Sequence, residues 1–262
     1  MFFNVGVFLF MIDNPIIYPV LFFAGILSGI VNAVAGGGGL ISLPALLAVG
    51  IPPQIALGTN KFQASFGHFT SAAYYLRHDV VTLKSTRLGI IFTVIGAAAG
   101  SYAVQRIDNS LLSQILPFLL LAVLAYTIVT PAAEETARPA RMNGILLFVI
   151  GGIVFGFYDG FFGPGIGSFW VTTLIFFQGF DLTKSIGYSK VMNSTSNLVA
   201  LALFFMGGMV WLAAGFVMAA GQVTGAWVGS RLVVKRGASF IRPLYICIVL
   251  LMTIKLFYDK YF

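Results

Sequence analysis

Charge is scarce in this chain of 262 residues: Asp, Glu, Lys and Arg make up 9% of it, whereas 59% is apolar. Soluble domains carry about 25% charged residues, so too few are present here to cover a water-facing surface. A lipid bilayer suits such a composition, and soluble enzymes, disordered chains, nucleic-acid binders and secreted disulfide scaffolds are set aside. Cysteine is nearly absent. Cys247 alone allows no intramolecular disulfide and no cysteine-based metal cluster, and it reads as a small core or lipid-facing residue. The N-terminal stretch MFFNVGVFLFMIDNP lacks both the basic n-region and the small-residue cleavage site of a signal peptide, so it is expected to stay in the mature protein. Acidic residues number 8 against 15 Lys and Arg, and in a membrane protein the resulting +7 reads as topology before nucleic-acid affinity.

Apolar runs are what the chain has in abundance. Crossing about 30 Å of hydrocarbon takes roughly 20 helical residues, and such stretches fall near 16–35, 54–77, 85–105, 110–130, 143–161, 183–206, 210–234 and 240–258. Two of them are interrupted. The first runs into Gly36-Gly37-Gly38-Gly39 and resumes as Leu40 to Val49; the fifth runs into Gly163-Pro164-Gly165-Ile166-Gly167 and resumes as Ser168 to Gln178. At 1.5 Å per residue each resumed piece is about 16 Å long, a half-helix beyond a break at membrane depth.

Both breaks belong to an internal repeat. A shift of 129 places Ala56-Leu57-Gly58-Thr59-Asn60-Lys61 on Ser185-Ile186-Gly187-Tyr188-Ser189-Lys190 and Gly96–Ser101 on Gly225–Ser230, and a shift of 127 places Asn32 on Asp159 and Gly36 on Gly163. Two repeats are expected, over 1–131 and 143–262, with a cytoplasmic linker at 132–142. Lys and Arg set orientation. The connections at 77–87 (Arg77, Lys84, Arg87) and 131–142 (Arg138, Arg141) are basic and read as cytoplasmic. The connection at 235–242 is basic where its counterpart at 106–109 holds one such residue, and 207–209 holds none where 77–87 is rich. This opposite bias predicts inverted halves. The expected fold is therefore an all-α, polytopic membrane helix bundle with two inverted repeats, each a glycine-broken re-entrant helix plus three crossing helices. Were the broken helices to cross fully, the halves would be parallel.

Gly25-x-x-Ser28-Gly29, the glycines 36–39, Pro44, Pro52, Gly58-Thr59-Asn60, Gly96-x-x-x-Gly100-Ser101 and Gly160-x-x-Gly163-Pro164-Gly165 together resemble the TauE/SafE family of sulfite and organosulfonate exporters, over nearly the whole chain. The resemblance implies export of small anions, sulfite or sulfonates, across the bacterial inner membrane.

The residues themselves point to an anion. Lys61 and Lys190 hold equivalent places about 12 Å into their segments, where a lysine needs water or a partner; they either reach an interface or a backbone carbonyl, or share an anion site. Half-helices that begin at the glycine breaks aim amides and a positive dipole end inward, which makes Gly37, Gly38, Gly39, Gly165, Gly167 and Ser168 candidate backbone donors. Broken helices at a repeat interface mark binding sites in transporters. Thr59, Asn60, Gln63 and Ser65 beside Lys61, and Ser189, Asn193, Ser194 and Asn197 beside Lys190, either orient a ligand or link helices. Asp159, the carboxylate well inside an apolar segment, is open to three readings: a proton carrier, a partner of Lys190, or a cap on the half-helix. His68 suits a proton relay or, more simply, a hydrogen-bonded bundle histidine. Glycines four apart at 25 and 29, 96 and 100, and 221, 225 and 229 read as helix-crossing sites.

Neither glycine run matches a nucleotide fingerprint, and a carboxyl protease needs a second mid-segment carboxylate. No enzyme, cofactor, metal or nucleic acid is expected. The reading is a multi-pass inner-membrane secondary transporter that exports a small anion by alternating access, in contact with lipid and with room for homo-oligomers. An anion channel ringed by the lysines and a scaffold that transports nothing are the alternatives.

Overall fold

A computed structural model describes residues 15–35, 37–130 and 139–236, together with Cys247, Leu250, Leu251, Ile254 and Tyr258, which are helical and exposed. The N-terminal 14 residues, Gly36, positions 131–138 of the expected linker and most of the last apolar segment lie outside the described residues. Among the described residues the chain is all-helical: α1 Ile17–Ala35, α2 Gly39–Ala48, α3 Pro53–Arg77, α4 Leu83–Gln105, α5 Asn109–Val129, α6 Gly144–Phe161, α7 Ile166–Thr173, α8 Leu182–Met206 and α9 Leu212–Arg236. A π-helical turn, Leu174–Gln178, prolongs α7.

Local chemistry explains the starts. Pro53 occupies the first turn of α3, where its missing N–H loses nothing. Thr82 and Ser85 form a capping box on α4, Asn143 accepts from the Ile145 amide on α6, and Asp181 accepts from the Lys184 amide on α8. Each supplies an acceptor for a helix amide that has no partner inside the helix. By length and composition α4, α5 and α6 can cross a membrane, whereas α2, with 10 residues, is about 15 Å long and cannot.

The same element order recurs after the midpoint. Helices α3 and α8 are each 25 residues long and both begin and end 129 positions apart; α1 and α6 begin 127 apart, as do α2 and α7. The packing is reciprocal as well. Helix α4 of the first half lies along α6 of the second, α9 of the second lies along α1 of the first, and α3 and α8 cross in the centre. Glycines make these crossings close. A methyl added at Gly96 would collide with the Ile153 carbonyl, at Gly100 with that of Phe157, at Gly29 with that of Gln222, and at Gly225 with that of Ile26. These glycines thus serve helix crossing, since only a missing side chain lets backbones approach this far; the surroundings of Gly229 lie outside the described residues.

One apolar cluster gathers α1, α2 and α5 around Leu40, Leu43, Leu116 and Phe204, and a second gathers α6, α7 and α8 around Trp170, Leu174 and Met192. Between them α3 and α8 bury a polar stripe. Asn60, Lys61, Gln63 and His68 on α3, and Ser189, Lys190, Asn193, Ser196 and Asn197 on α8, are all buried.

Candidate functional site

Helix α6 ends two residues after Asp159, at Phe161, and the break that follows depends on glycine. Gly163 has φ +101° and Gly165 φ +83°, backbone angles that L side chains rarely adopt. A Cβ on Gly163 would also lie 2.5 Å from Lys61 Nζ and 2.8 Å from Asp159 Oδ1, so the bare backbone leaves room for the ammonium. Tyr158 closes the turn by donating its hydroxyl to the Pro164 carbonyl at 2.6 Å. The first break abuts the second, with Gly39 against Pro164.

Lys61 on α3 pairs with Asp159 at 2.5 Å, and both residues are 1% exposed. The other carboxylate oxygen accepts from the Ser196 hydroxyl and, at 3.1 Å, from Asn197 Nδ2. Asp159 therefore bridges the halves through Lys61, not Lys190, which corrects one of the partners expected for it. Lys190 has a different environment. Its ammonium donates to the Asn32 backbone carbonyl at 3.4 Å, and among the described residues it forms no salt bridge. Asn32 is the residue that the 127 shift places on Asp159. The two lysines thus occupy matching positions, one facing a carboxylate and one facing a residue that lacks it.

A cavity of about 20 Å³ lies beside the pair, lined among others by Ser28, Asn32, Asn60, Gln63, His68 and Gln222 together with Gly38, Gly39, Gly163 and Gly165. Ser42 donates to Asn60 Oδ1 at 2.6 Å, and Gln63 Nε2 donates to Asn60 Oδ1 at 2.9 Å and to Ser42 Oγ at 3.1 Å. Ser28 donates to the Gly38 carbonyl at 2.9 Å. Gln63 Oε1, Gln222 Oε1 and His68 Nδ1 are buried without a hydrogen-bond partner, and His68 lies within electrostatic reach of both lysines. Buried polar atoms are nearly always paired, so three orphans round one cavity mark a place built for something polar.

Of the residues singled out in the sequence, Asn60, Lys61, Gln63, His68, Asp159, Asn197, Gly38, Gly39 and Gly165 line this cavity. Thr59 instead accepts from the Trp211 amide at 2.9 Å, next to the start of α9. Gly37, Gly167, Ser168, Lys190, Asn193 and Ser194 lie outside the lining; the Gly167 carbonyl accepts from Ser189, while both polar ends of the buried Asn193 amide are unpartnered. The half-helix amides are partly used. Those of Leu40, Ile41 and Ser42 donate to Gly37 and Gly38 carbonyls, and those of Ile166, Ser168 and Phe169 to Gly163 and Gly165, which leaves fewer for a ligand than an open helix start. Ser42, Ser196 and Gln222 were not anticipated, although Gln222 is a lone amide inside an apolar run between Gly221 and Gly225 and could have been flagged for that. Among the described residues no three His, Cys, Asp or Glu side chains gather as a metal site requires.

Residues 21–256 match the family model described as "Sulfite exporter TauE/SafE". The chain is 42% identical over 253 residues to "Probable membrane transporter protein YfcA" of Escherichia coli strain K12, covering 97% of this chain and 94% of that protein. It is 41% identical over 241 residues to a "Probable membrane transporter protein" of Haemophilus influenzae, covering 92% and 94%. Similarity to "Sulfite exporter TauE/SafE family protein 6" of Arabidopsis thaliana is 30% over 140 residues, covering 52% of this chain and 29% of that one. No solved structure matches the chain. With the family model covering most of its length and near-full-length relatives named as membrane transporters, the chain belongs to the sulfite exporter TauE/SafE family.

Proposed function

We propose that this membrane transporter is a secondary carrier of small anions, a sulfur oxyanion or organosulfonate first among them, which it exports across the bacterial inner membrane by alternating access of two inverted halves. What carries this reading is Lys190. Among the described residues it is a buried ammonium without a carboxylate, whereas its counterpart Lys61 has Asp159. A cation held in low dielectric needs an opposite charge or a hydrogen-bonding substitute, and a transported anion supplies one. The sulfur oxyanion follows from the family; the charge of the site supports an anion but not a particular one.

The breaks support the mode of transport. Discontinuous helices at the interface of two repeats place a site between parts that rock against each other, and here the breaks touch through Gly39 and Pro164. A cavity of about 20 Å³ has room for a water-sized guest, so a sulfur oxyanion enters only when the halves part. Repeats at 1–131 and 143–262, joined by a cytoplasmic linker, are the moving bodies in this scheme. Asp159 and His68 are the groups through which a proton would be coupled, Asp159 by releasing Lys61 when protonated.

Counterflow of labelled sulfite into liposomes containing the purified protein tests the proposal. Wild type should exchange sulfite saturably, and Lys190→Met should lower the flux at least about tenfold, the effect of losing one charge-assisted contact. Wild-type flux in Lys190→Met removes Lys190 from the site, and no flux in wild type returns the chain to the scaffold alternative. Asp159→Asn should flatten the dependence of flux on pH; an unchanged profile takes the proton role from Asp159.

A further inference from the structure

The acidic and basic side chains buried among the described residues are Lys61, Lys190, Asp159 and His68. Lys61 and Asp159 cancel one another, which leaves Lys190 as the surplus cation among the buried side chains described. One negative charge on a ligand brings this buried region to neutrality. A second negative charge would be stripped of water with nothing opposite it, which low dielectric penalises strongly.

Hydrogen bonding adds an independent restriction. Gln63 Oε1 and Gln222 Oε1 are acceptors on the cavity wall that receive no hydrogen bond. The amide of Gln63 is turned this way because its nitrogen donates to Asn60 and Ser42. A fully deprotonated oxyanion offers only acceptors, so a ligand without an O–H or N–H of its own would bring further acceptors to atoms already lacking donors. A ligand with one negative charge and a donor answers both.

Building on the anion-carrier reading above, the geometry points to a site that selects monoanions bearing their own hydrogen-bond donor: hydrogen sulfite and hydroxyalkylsulfonates, with the sulfite dianion and sulfate rejected. Selectivity for charge is set by Asp159, and selectivity for the donor by Gln63 and Gln222. Asp159→Asn raises the surplus to two positive charges and should admit dianions. The double substitution Lys61→Met, Asp159→Leu removes the pair but leaves the surplus at one, and should keep the preference for monoanions.

Calorimetric titration of the purified full-length chain at one pH and ionic strength reads this directly, with three probes: 2-hydroxyethanesulfonate, methanesulfonate and sulfate. The last two are close in size and shape and differ in charge. Wild type should bind 2-hydroxyethanesulfonate most tightly, and methanesulfonate roughly tenfold more tightly than sulfate. In Asp159→Asn the methanesulfonate-to-sulfate ratio should move about tenfold toward sulfate, while the double variant holds the wild-type ratio. Gln222→Met should narrow the advantage of the hydroxyl-bearing probe over methanesulfonate. Sulfate bound by wild type as tightly as methanesulfonate overturns the inference and leaves anion transport standing. A ratio unmoved in Asp159→Asn, or moved equally in the double variant, also overturns it. Should Asp159→Asn not fold, the wild-type order and the double variant decide. Binding of none of the three removes the anion-carrier reading and this inference with it.

Discussion

Lys61 and Asp159 form a pair that neither could leave cheaply. Removing one member of a buried ion pair strands the other without water, an effect of about 3–5 kcal/mol, whereas replacing both with apolar residues of similar volume is often nearly neutral. Asp159→Ala should therefore lower stability by about that amount in a denaturant or thermal unfolding series, and Lys61→Met with Asp159→Leu by much less. A double variant as unstable as the single one would mean that the pair contributes beyond mutual compensation. That Lys61, Lys190 and Asp159 stand out as charges inside apolar segments was legible in the sequence, because such charges are rare and the repeat aligned two of them, and all three are buried. Where a pairing was read, it was with the wrong lysine, Lys190 instead of Lys61, yet the alignment held the clue. If each half packs its outer helix on the first helix of the other, Lys61 meets the second break and Lys190 the first, so Asp159 belongs to Lys61 and Asn32 to Lys190. Ser196 escaped notice for a plainer reason: a serine one position from Asn197 carries no distinguishing signal until the turn of α8 aims it at Asp159.

Among the elements, the crossings of α4 with α6 and α9 with α1 rest on backbone contact. Gly225→Leu forces a side chain into the Ile26 carbonyl, and overpacking of this kind costs about 1–3 kcal/mol; unfolding of the variant in micelles should show it. Gly208 supplies the contrast. It has a positive φ of 67° and nothing within 4 Å of an added Cβ, and asparagine tolerates such angles, so Gly208→Asn should stay within about 0.5 kcal/mol of wild type. Apolar runs and glycine breaks placed the described helices within a few residues of where they lie, because hydrophobic length and loss of helix propensity both act locally. The π turn at Leu174–Gln178 was invisible, since a single widened turn leaves the apolar pattern unchanged. So was the use of half-helix amides by carbonyls inside each break, which depends on the path the glycines take rather than on their number.

At the scale of the whole molecule, transport by rocking halves requires that Gly39 and Pro164 separate. A Cβ on Gly39 lies 3.5 Å from that of Pro164, inside the range of about 3.5–4.5 Å that a disulfide spans. Gly39→Cys with Pro164→Cys, in a Cys247→Ser background, should lose sulfite flux on oxidation and regain it with a thiol reductant. Flux that persists in the oxidised protein would show that the breaks need not part. A saturating anion should also raise the midpoint of thermal unfolding, since ligand at 100 times its dissociation constant adds about 2.7 kcal/mol to the folded state.

The unequal partners of Lys61 and Lys190 reach further than selectivity. Two copies of the first half would bring together two lysines and two asparagines, with no carboxylate between them. Two copies of the second would bring together two lysines and two aspartates and have no charge to spare. Only one of each yields a single unmatched cation, so a symmetric dimer of either half could not reproduce this centre. Because one chain carries both Asn32 and Asp159, the unlike halves meet within a single molecule and need no second copy to bring them together.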